Sequence, residues 1–163
     1  MKKLILTLLT LLLLSLPLFA AEPKWSIMGV RDGDTIVVYR IEDGEKIIEV
    51  IRLQHIDCPE HNQEFGSEAK AFTESFVKRA KFLYVAESAH DRYGRMIGVV
   101  SDDEGRVLNQ LLVRNGFAWW YKQYSKDSTY NDAEKAARAE HLGLWSKPSP
   151  VPPWEFRKAG KKK

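Results

Sequence analysis

The order of hydrophobic periodicities predicts an α+β fold that is mainly β: a five-stranded Greek-key barrel of the OB type with about three helices. Three observations carry this. Three strand-like runs come first, one stretch of helical spacing follows, and two more strand-like runs precede the remaining helical segments. Barrels of this kind close their sheet edges and keep a binding face over strands and loops. The order by itself is shared with other small barrels and α+β domains.

"WSIMGV" (25–30) and "DTIVVYR" (34–40) read as the first two strands, separated by the turn "RDG". "GEKIIEVIRL" (44–53) is the third, entered through "EDG" at 42–44. From Ser67 to Ala80 the apolar positions Ala69, Phe72, Phe76 and Ala80 recur at threes and fours, which predicts an amphipathic helix. "KFLYVAES" and "RMIGVVSD" then form two strands around "AHDRYG". Leu108, Leu111 and Leu112 mark a short helix closed by Gly116. A third helix is expected from about Ser128 to His141, with Gly143 just past its end. Residues 147–163 hold four prolines and end in lysines, which predicts an extended arm and a loose basic tail.

Residues 1–20 stand apart. "MKK", then the apolar "LILTLLTLLLLSLPLF", then Ala20 and Ala21 before the polar "EPK" have the layout of a signal peptide cleaved after Ala20. The chain is then expected to be secreted or periplasmic, with one domain over 21–146. A single cysteine, Cys58, excludes an internal disulfide.

The formal charge of +3 does not argue for nucleic acid. Without Lys2 and Lys3 there are 23 basic against 22 acidic residues, and five of those basic residues lie in the terminal tail. Residues 21–156 hold 18 basic and 22 acidic groups, a net of −4. Any anion site must therefore be built locally, from chosen arginines.

Three stretches carry candidate chemistry. In "RDGDTIVV", Asp32 and Asp34 flank Gly33 at the entrance to a strand, where the plainer reading is a turn. In "RLQHIDCPEH", Pro59 ends a strand among Arg52, Asp57 and Glu60. Cys58 makes a poor nucleophile there, because a reactive thiol needs electropositive surroundings and its neighbours are acidic. His55 and His61 do not complete a recognised zinc spacing. In "DRYGR", Arg92 and Arg95 bracket a turn, and an arginine fork suits phosphate. Asp32, Asp34 and Asp57 are hard oxygen donors for Ca²⁺, Arg52 and Arg95 are phosphate clamps, and Glu60 is a candidate base.

Together with "FGSEAKAFT", "LNQLLVRNGFAWWY" and the closing "GLW", these stretches stand in the order of one family. From about residue 25 to 146 the chain resembles the thermonuclease, or staphylococcal nuclease-like, family of Ca²⁺-dependent nucleases. The resemblance implies that Asp34, Asp57 and the backbone carbonyl of Cys58 hold the metal, with Asp32 close to the ion. It implies that Arg52 and Arg95 bind phosphate and that Glu60 is the general base. Tyr93 looks like the family's tyrosine of the same turn; Arg92 belongs to that turn, and Tyr121 and Tyr124 are the candidates to face the substrate. The implied reaction is hydrolysis of DNA and RNA, preferably single-stranded, to 3′-phosphate products by a monomer without a stable protein partner.

Two features depart from the family's pattern. The loop from Glu60 to Gly66 is short, and Tyr121 and Tyr124 are three apart rather than two. Two other classes fit parts of the sequence: a non-catalytic OB-fold binder of nucleic acid or oligosaccharide, and an envelope-associated protein attached through its arm and tail. A pure binder has no need of Glu60, and the second class predicts no Ca²⁺ dependence.

Overall fold

A computed structural model describes residues 23–160; the expected leader at 1–20 and the final three lysines lie outside the described residues. Seven strands are present: β1 (Ser26–Asp32), β2 (Thr35–Glu42), β3 (Glu45–Leu53), β4 (Ile56–Asp57), β5 (Leu83–His90), β6 (Met96–Asp102) and β7 (Trp119–Trp120). The helices are α1 (Gly66–Arg79), α2 (Leu108–Arg114), α3 (Ser128–Ala139) and α4 (Pro153–Gly160), with a 3₁₀ turn at Gly143–Ser146.

The five longer strands form one sheet in the order β1-β2-β3-β6-β5. β3 and β6 run parallel over Ile51–Leu53, and the other pairs are antiparallel. Trp25 and Leu83 exchange two backbone hydrogen bonds of 2.8 Å, joining the start of β1 to β5. That bridge closes the sheet and leaves the expected OB barrel without two free edges.

Alternation accounts for the core. Ile36 and Val38 on β2, Ile51 and Leu53 on β3, and Met96 and Val100 on β6 all point inward and are buried. Helix α1 covers one end of the barrel with Ala69, Phe76 and Val77. A second cluster of Trp119, Ala137, Leu144 and Trp145 lies where α3 and the 3₁₀ turn meet β7, with Phe65 and Trp154 packed on it.

Two expectations change. The pairing of β4 with β7, Asp57 opposite Trp119, is absent from the sequence reading because two-residue strands carry no period. The arm does not stay extended, for residues 153–160 form α4. Pro153 starts that helix, where its missing N–H costs nothing and its fixed φ suits the first turn. The carbonyl of Pro152 accepts from the N–H groups of Glu155 and Phe156. Among the described residues, four helices therefore stand where about three were expected.

Candidate active site

The site grows from the crossing of three short stretches. Asp34 ends the β1–β2 turn, and Thr35 lies opposite Arg52 in the β2–β3 ladder. The backbone N–H of Leu53 donates to the Asp34 carbonyl at 2.9 Å. Beneath them, Thr73 of α1 donates its hydroxyl to the carbonyl of Gly33 at 2.6 Å. Gly33 is required here, since a β-carbon would stand 2.8 Å from Ala69 Cβ and 3.0 Å from Cys58. The turn thus presses on the helix and aims the carboxylate of Asp34 at Cys58, whose N–H donates to it at 2.7 Å.

His55 takes a left-handed φ of 72° and turns the chain from β3 into β4. This brings Asp57 back over Arg52. The Arg52 guanidinium donates to the carbonyls of Leu53 (2.9 Å) and Ile56 (3.1 Å) and to Asp57 Oδ1 (2.7 Å), and lies 3.1 Å from Asp34 Oδ2. Burial opposes its charge, but Asp34 and Asp57 raise its pKa above the ordinary value. Burial also pushes Asp57 up, against the pull of Arg157 and Arg52. Cys58 is buried with its thiol packed inward, and burial followed by Asp34 pushes its pKa well up. Burial and acidic neighbours both disfavour the thiolate that a reactive cysteine needs.

The Glu60–Gly66 loop is short and tightly bonded. Gln63 accepts from the Glu60 N–H through its side chain (3.1 Å) and donates its own N–H to the Glu60 carbonyl (2.9 Å). Its amide nitrogen also donates to the Val151 carbonyl at 2.6 Å, fastening the loop to the C-terminal arm. From that arm, Arg157 enters the site. It bonds Glu60 Oε1 at 2.6 Å and Asp57 Oδ2 at 2.7 Å, with a longer contact of 3.3 Å to Asp57 Oδ1.

These groups line an open cleft of about 850 Å³ that also contains Asp32, Arg92, Tyr93, Arg95, Tyr121 and Tyr124. Arg95 is in the cleft but apart from the acid cluster, with two guanidinium nitrogens 2.7 Å from Asp91 Oδ2. Although burial pushes Asp91 up, hydrogen bonds from Arg95 and Tyr93 hold it below the usual carboxylate range. Arg92 donates to the Tyr93 hydroxyl at 2.7 Å, and that exposed ring stands at the cleft edge. The Tyr121 and Tyr124 rings are 4.8 Å apart. A smaller hollow of about 280 Å³ lies beside them, lined by Trp119, Trp120, Tyr121 and Trp154. Its acid, Glu134, is committed to the Trp120 N–H and to Arg138.

His55 packs against Tyr130 with centroids 4.8 Å apart and ring planes tilted by 39°. Among the described residues no group of three or more His, Cys, Asp or Glu side chains is arranged to hold a metal. The donors expected above for Ca²⁺ are the carboxylates of Asp34 and Asp57 with the Cys58 carbonyl, and here both oxygens of Asp57 are bonded by Arg52 and Arg157. All are hard oxygen donors, so the chemistry fits Ca²⁺ rather than a softer metal. The charge fits as well. Asp34, Asp57 and Glu60 against Arg52 and Arg157 leave one negative charge, which a divalent cation and one phosphodiester together bring to zero.

A closed OB barrel whose cleft gathers acids and arginines at the mouth of β2–β4 defines a class: a small barrel built to engage a charged ligand with acid–base groups. Sequence comparison narrows this. Residues 50–147 match the family described as staphylococcal nuclease homologue. The chain is 40% identical over 149 residues to an uncharacterized endonuclease of Escherichia coli O157:H7, covering 91% of this chain and 94% of that one. It is 35% identical over 159 residues to a micrococcal nuclease of Shigella flexneri, covering 88% of each. A staphylococcal-like nuclease of Arabidopsis thaliana is 36% identical over 108 residues, 66% of this chain and 33% of its own length. The chain belongs to the staphylococcal nuclease family.

Proposed function

We propose that this chain is an exported, Ca²⁺-dependent nuclease that hydrolyses DNA and RNA, preferring single strands, to 3′-phosphate products as a monomer. One observation carries the reading. On a barrel of this family, Asp34, Asp57, Glu60 and Arg52 converge in a cleft open enough to take a nucleic-acid strand.

Asp34, Asp57 and the Cys58 carbonyl would hold Ca²⁺, which when bound supplies positive charge against the growing charge of a five-coordinate phosphorus. The protein's own groups do the rest. Two backbone carbonyls fix the Arg52 plane, and N–H groups beyond those it already uses remain to meet a phosphate oxygen. Arg95, one turn away, meets another as it shares its charge with Asp91. Glu60 has one oxygen on Arg157; the other takes a proton from water positioned in line with the departing 5′-oxygen. Tyr93 and Tyr124 offer exposed aromatic faces along the cleft, which suits base stacking without sequence preference, while Tyr121, held between Tyr124 and Trp154, backs the same wall. Export after Ala20 would suit a site with few carboxylates, because weak Ca²⁺ sites work where the ion is abundant.

The test is digestion of single-stranded DNA by residues 21–163 with Ca²⁺ and with a chelator, followed by end-group analysis. Ca²⁺-dependent cleavage leaving 3′-phosphates is expected. No cleavage by folded protein in millimolar Ca²⁺ would overturn the reading in favour of a non-catalytic binder.

A further inference from the structure

The family match ends at residue 147, yet one of the closest contacts in the cleft comes from residue 157. We propose that Arg157 is a positioning residue of the hydrolytic site, clamping the Glu60 carboxylate to Asp57 and so fixing where the base presents its free oxygen. The proposal rests on the nuclease reading above and deepens it.

The geometry is that of a fork. One guanidinium nitrogen reaches Glu60 Oε1 at 2.6 Å and Asp57 Oδ1 at 3.3 Å, while the other reaches Asp57 Oδ2 at 2.7 Å. Asp57 is nearly inaccessible, at 1% side-chain exposure, and is also held by Arg52 at 2.7 Å; Glu60 is 38% exposed. An exposed carboxylate on a loop samples several rotamers unless something holds it. Among the described residues, the only hydrogen bond or ion pair found for the Glu60 carboxylate is to Arg157. The fork therefore transfers the rigidity of Asp57 to Glu60. A planar guanidinium can do this, and an ammonium cannot reproduce both contacts.

The helix that carries Arg157 is itself fastened to the site. Trp154, three residues earlier and so on the same side of α4, stacks on Tyr121 at 5.3 Å with planes 4° apart. It also meets Trp119 edge-on at 5.6 Å. Gln63 ties the base loop to Val151 just before the helix. The base loop is thus tied to the arm at one point and the helix to the β7 region at two, and the arm's prolines stiffen the path between them.

The alternatives are that Arg157 touches the substrate phosphate directly, or that it merely anchors α4. Double-mutant cycles separate them. Glu60→Gln, Arg157→Gln and the double variant are compared twice: by thermal melting without Ca²⁺ or DNA, and by steady-state cleavage of single-stranded DNA with Ca²⁺. Gln keeps the arginine's stem and its helix preference, and Arg157→Lys serves as a second variant should Gln fail to fold. The clamp predicts non-additive melting shifts, because either single change removes the same charge-assisted contact. In cleavage it predicts that Arg157→Gln lowers kcat about 10- to 100-fold with KM within about 3-fold, and that the double variant is no slower than Glu60→Gln by more than about 3-fold. Arg157→Lys recovers only part of the loss. Additive melting shifts would show that the contact does not exist, whatever the activity. Multiplying kinetic losses or a dominant rise in KM would make Arg157 a phosphate ligand. Coupled melting without cleavage by the unaltered protein would sink the nuclease reading and leave Arg157 a structural contact only.

Discussion

Asn109 has no exposed surface, and every part of its amide is used. Its oxygen accepts from the N–H of Val100 at 2.9 Å, and its nitrogen donates to the carbonyls of Gln54 (3.0 Å) and Gly98 (3.2 Å). It thereby joins β6 to the chain just after β3, next to where His55 turns toward Asp57. Truncation to alanine would bury one donor and one acceptor with nothing to replace them. Asn109→Ala is expected to destabilise by about 2–4 kcal/mol, read from urea unfolding; a loss under about 0.5 kcal/mol would contradict this network. At the same scale, the acids and Arg52 stood out in the sequence only together: Asp32 and Asp34 alone read as a turn, and it was the order of three stretches, resembling one family, that gave each charge an expected role. Asn109 did not: a buried asparagine inside an apolar helix reads as a weak helix former until its partners are known. Arg157 was misread for a related reason. It lies among lysines in a basic tail, and composition cannot tell one committed arginine from solvated neighbours.

The Glu60–Gly66 loop depends on its last residue. Gly66 begins α1 directly behind Phe65, which holds a left-handed φ of 66°, and a β-carbon at Gly66 would overlap the Glu60 carbonyl. Backbone cannot yield as a side chain can, so Gly66→Ala must shift the loop. Its cost should be about 1–3 kcal/mol of stability. Because the displaced carbonyl belongs to the proposed base, kcat should fall about 10-fold or more even well below the melting temperature. Unchanged kcat in a destabilised Gly66→Ala protein would mean the loop does not position Glu60. The main strands and α1–α3 were read nearly to their ends, since strands of seven to nine residues and helices of two turns or more carry a clear period. The pair β4–β7 and helix α4 were not. The first is too short to show alternation, and the second is helical because Trp154 docks on Tyr121 and Trp119, a tertiary cause that local propensity does not contain.

For the whole molecule, the barrel separates stability from chemistry. The bridge from Trp25 to Leu83 closes the sheet, and the apolar residues of alternating strands fill it. The charges are left to gather at one cleft, on turns and loops fixed by the strand ends. With 23 basic against 22 acidic residues over 21–163, the chain offers little long-range attraction to nucleic acid, so binding must come from the arginines and aromatic faces at the cleft. On the proposed reading, binding and turnover fall to different groups, with Glu60 on the turnover side. Glu60→Gln keeps the size of the side chain and a hydrogen bond to Arg157 while removing the base. The most direct measurement compares the unaltered protein and Glu60→Gln for Ca²⁺-dependent cleavage of single-stranded DNA and for affinity toward the same strand. The account predicts cleavage lowered by about 10²-fold or more with affinity within about 3-fold. Near-normal turnover, or a loss that lies mainly in binding, would contradict it.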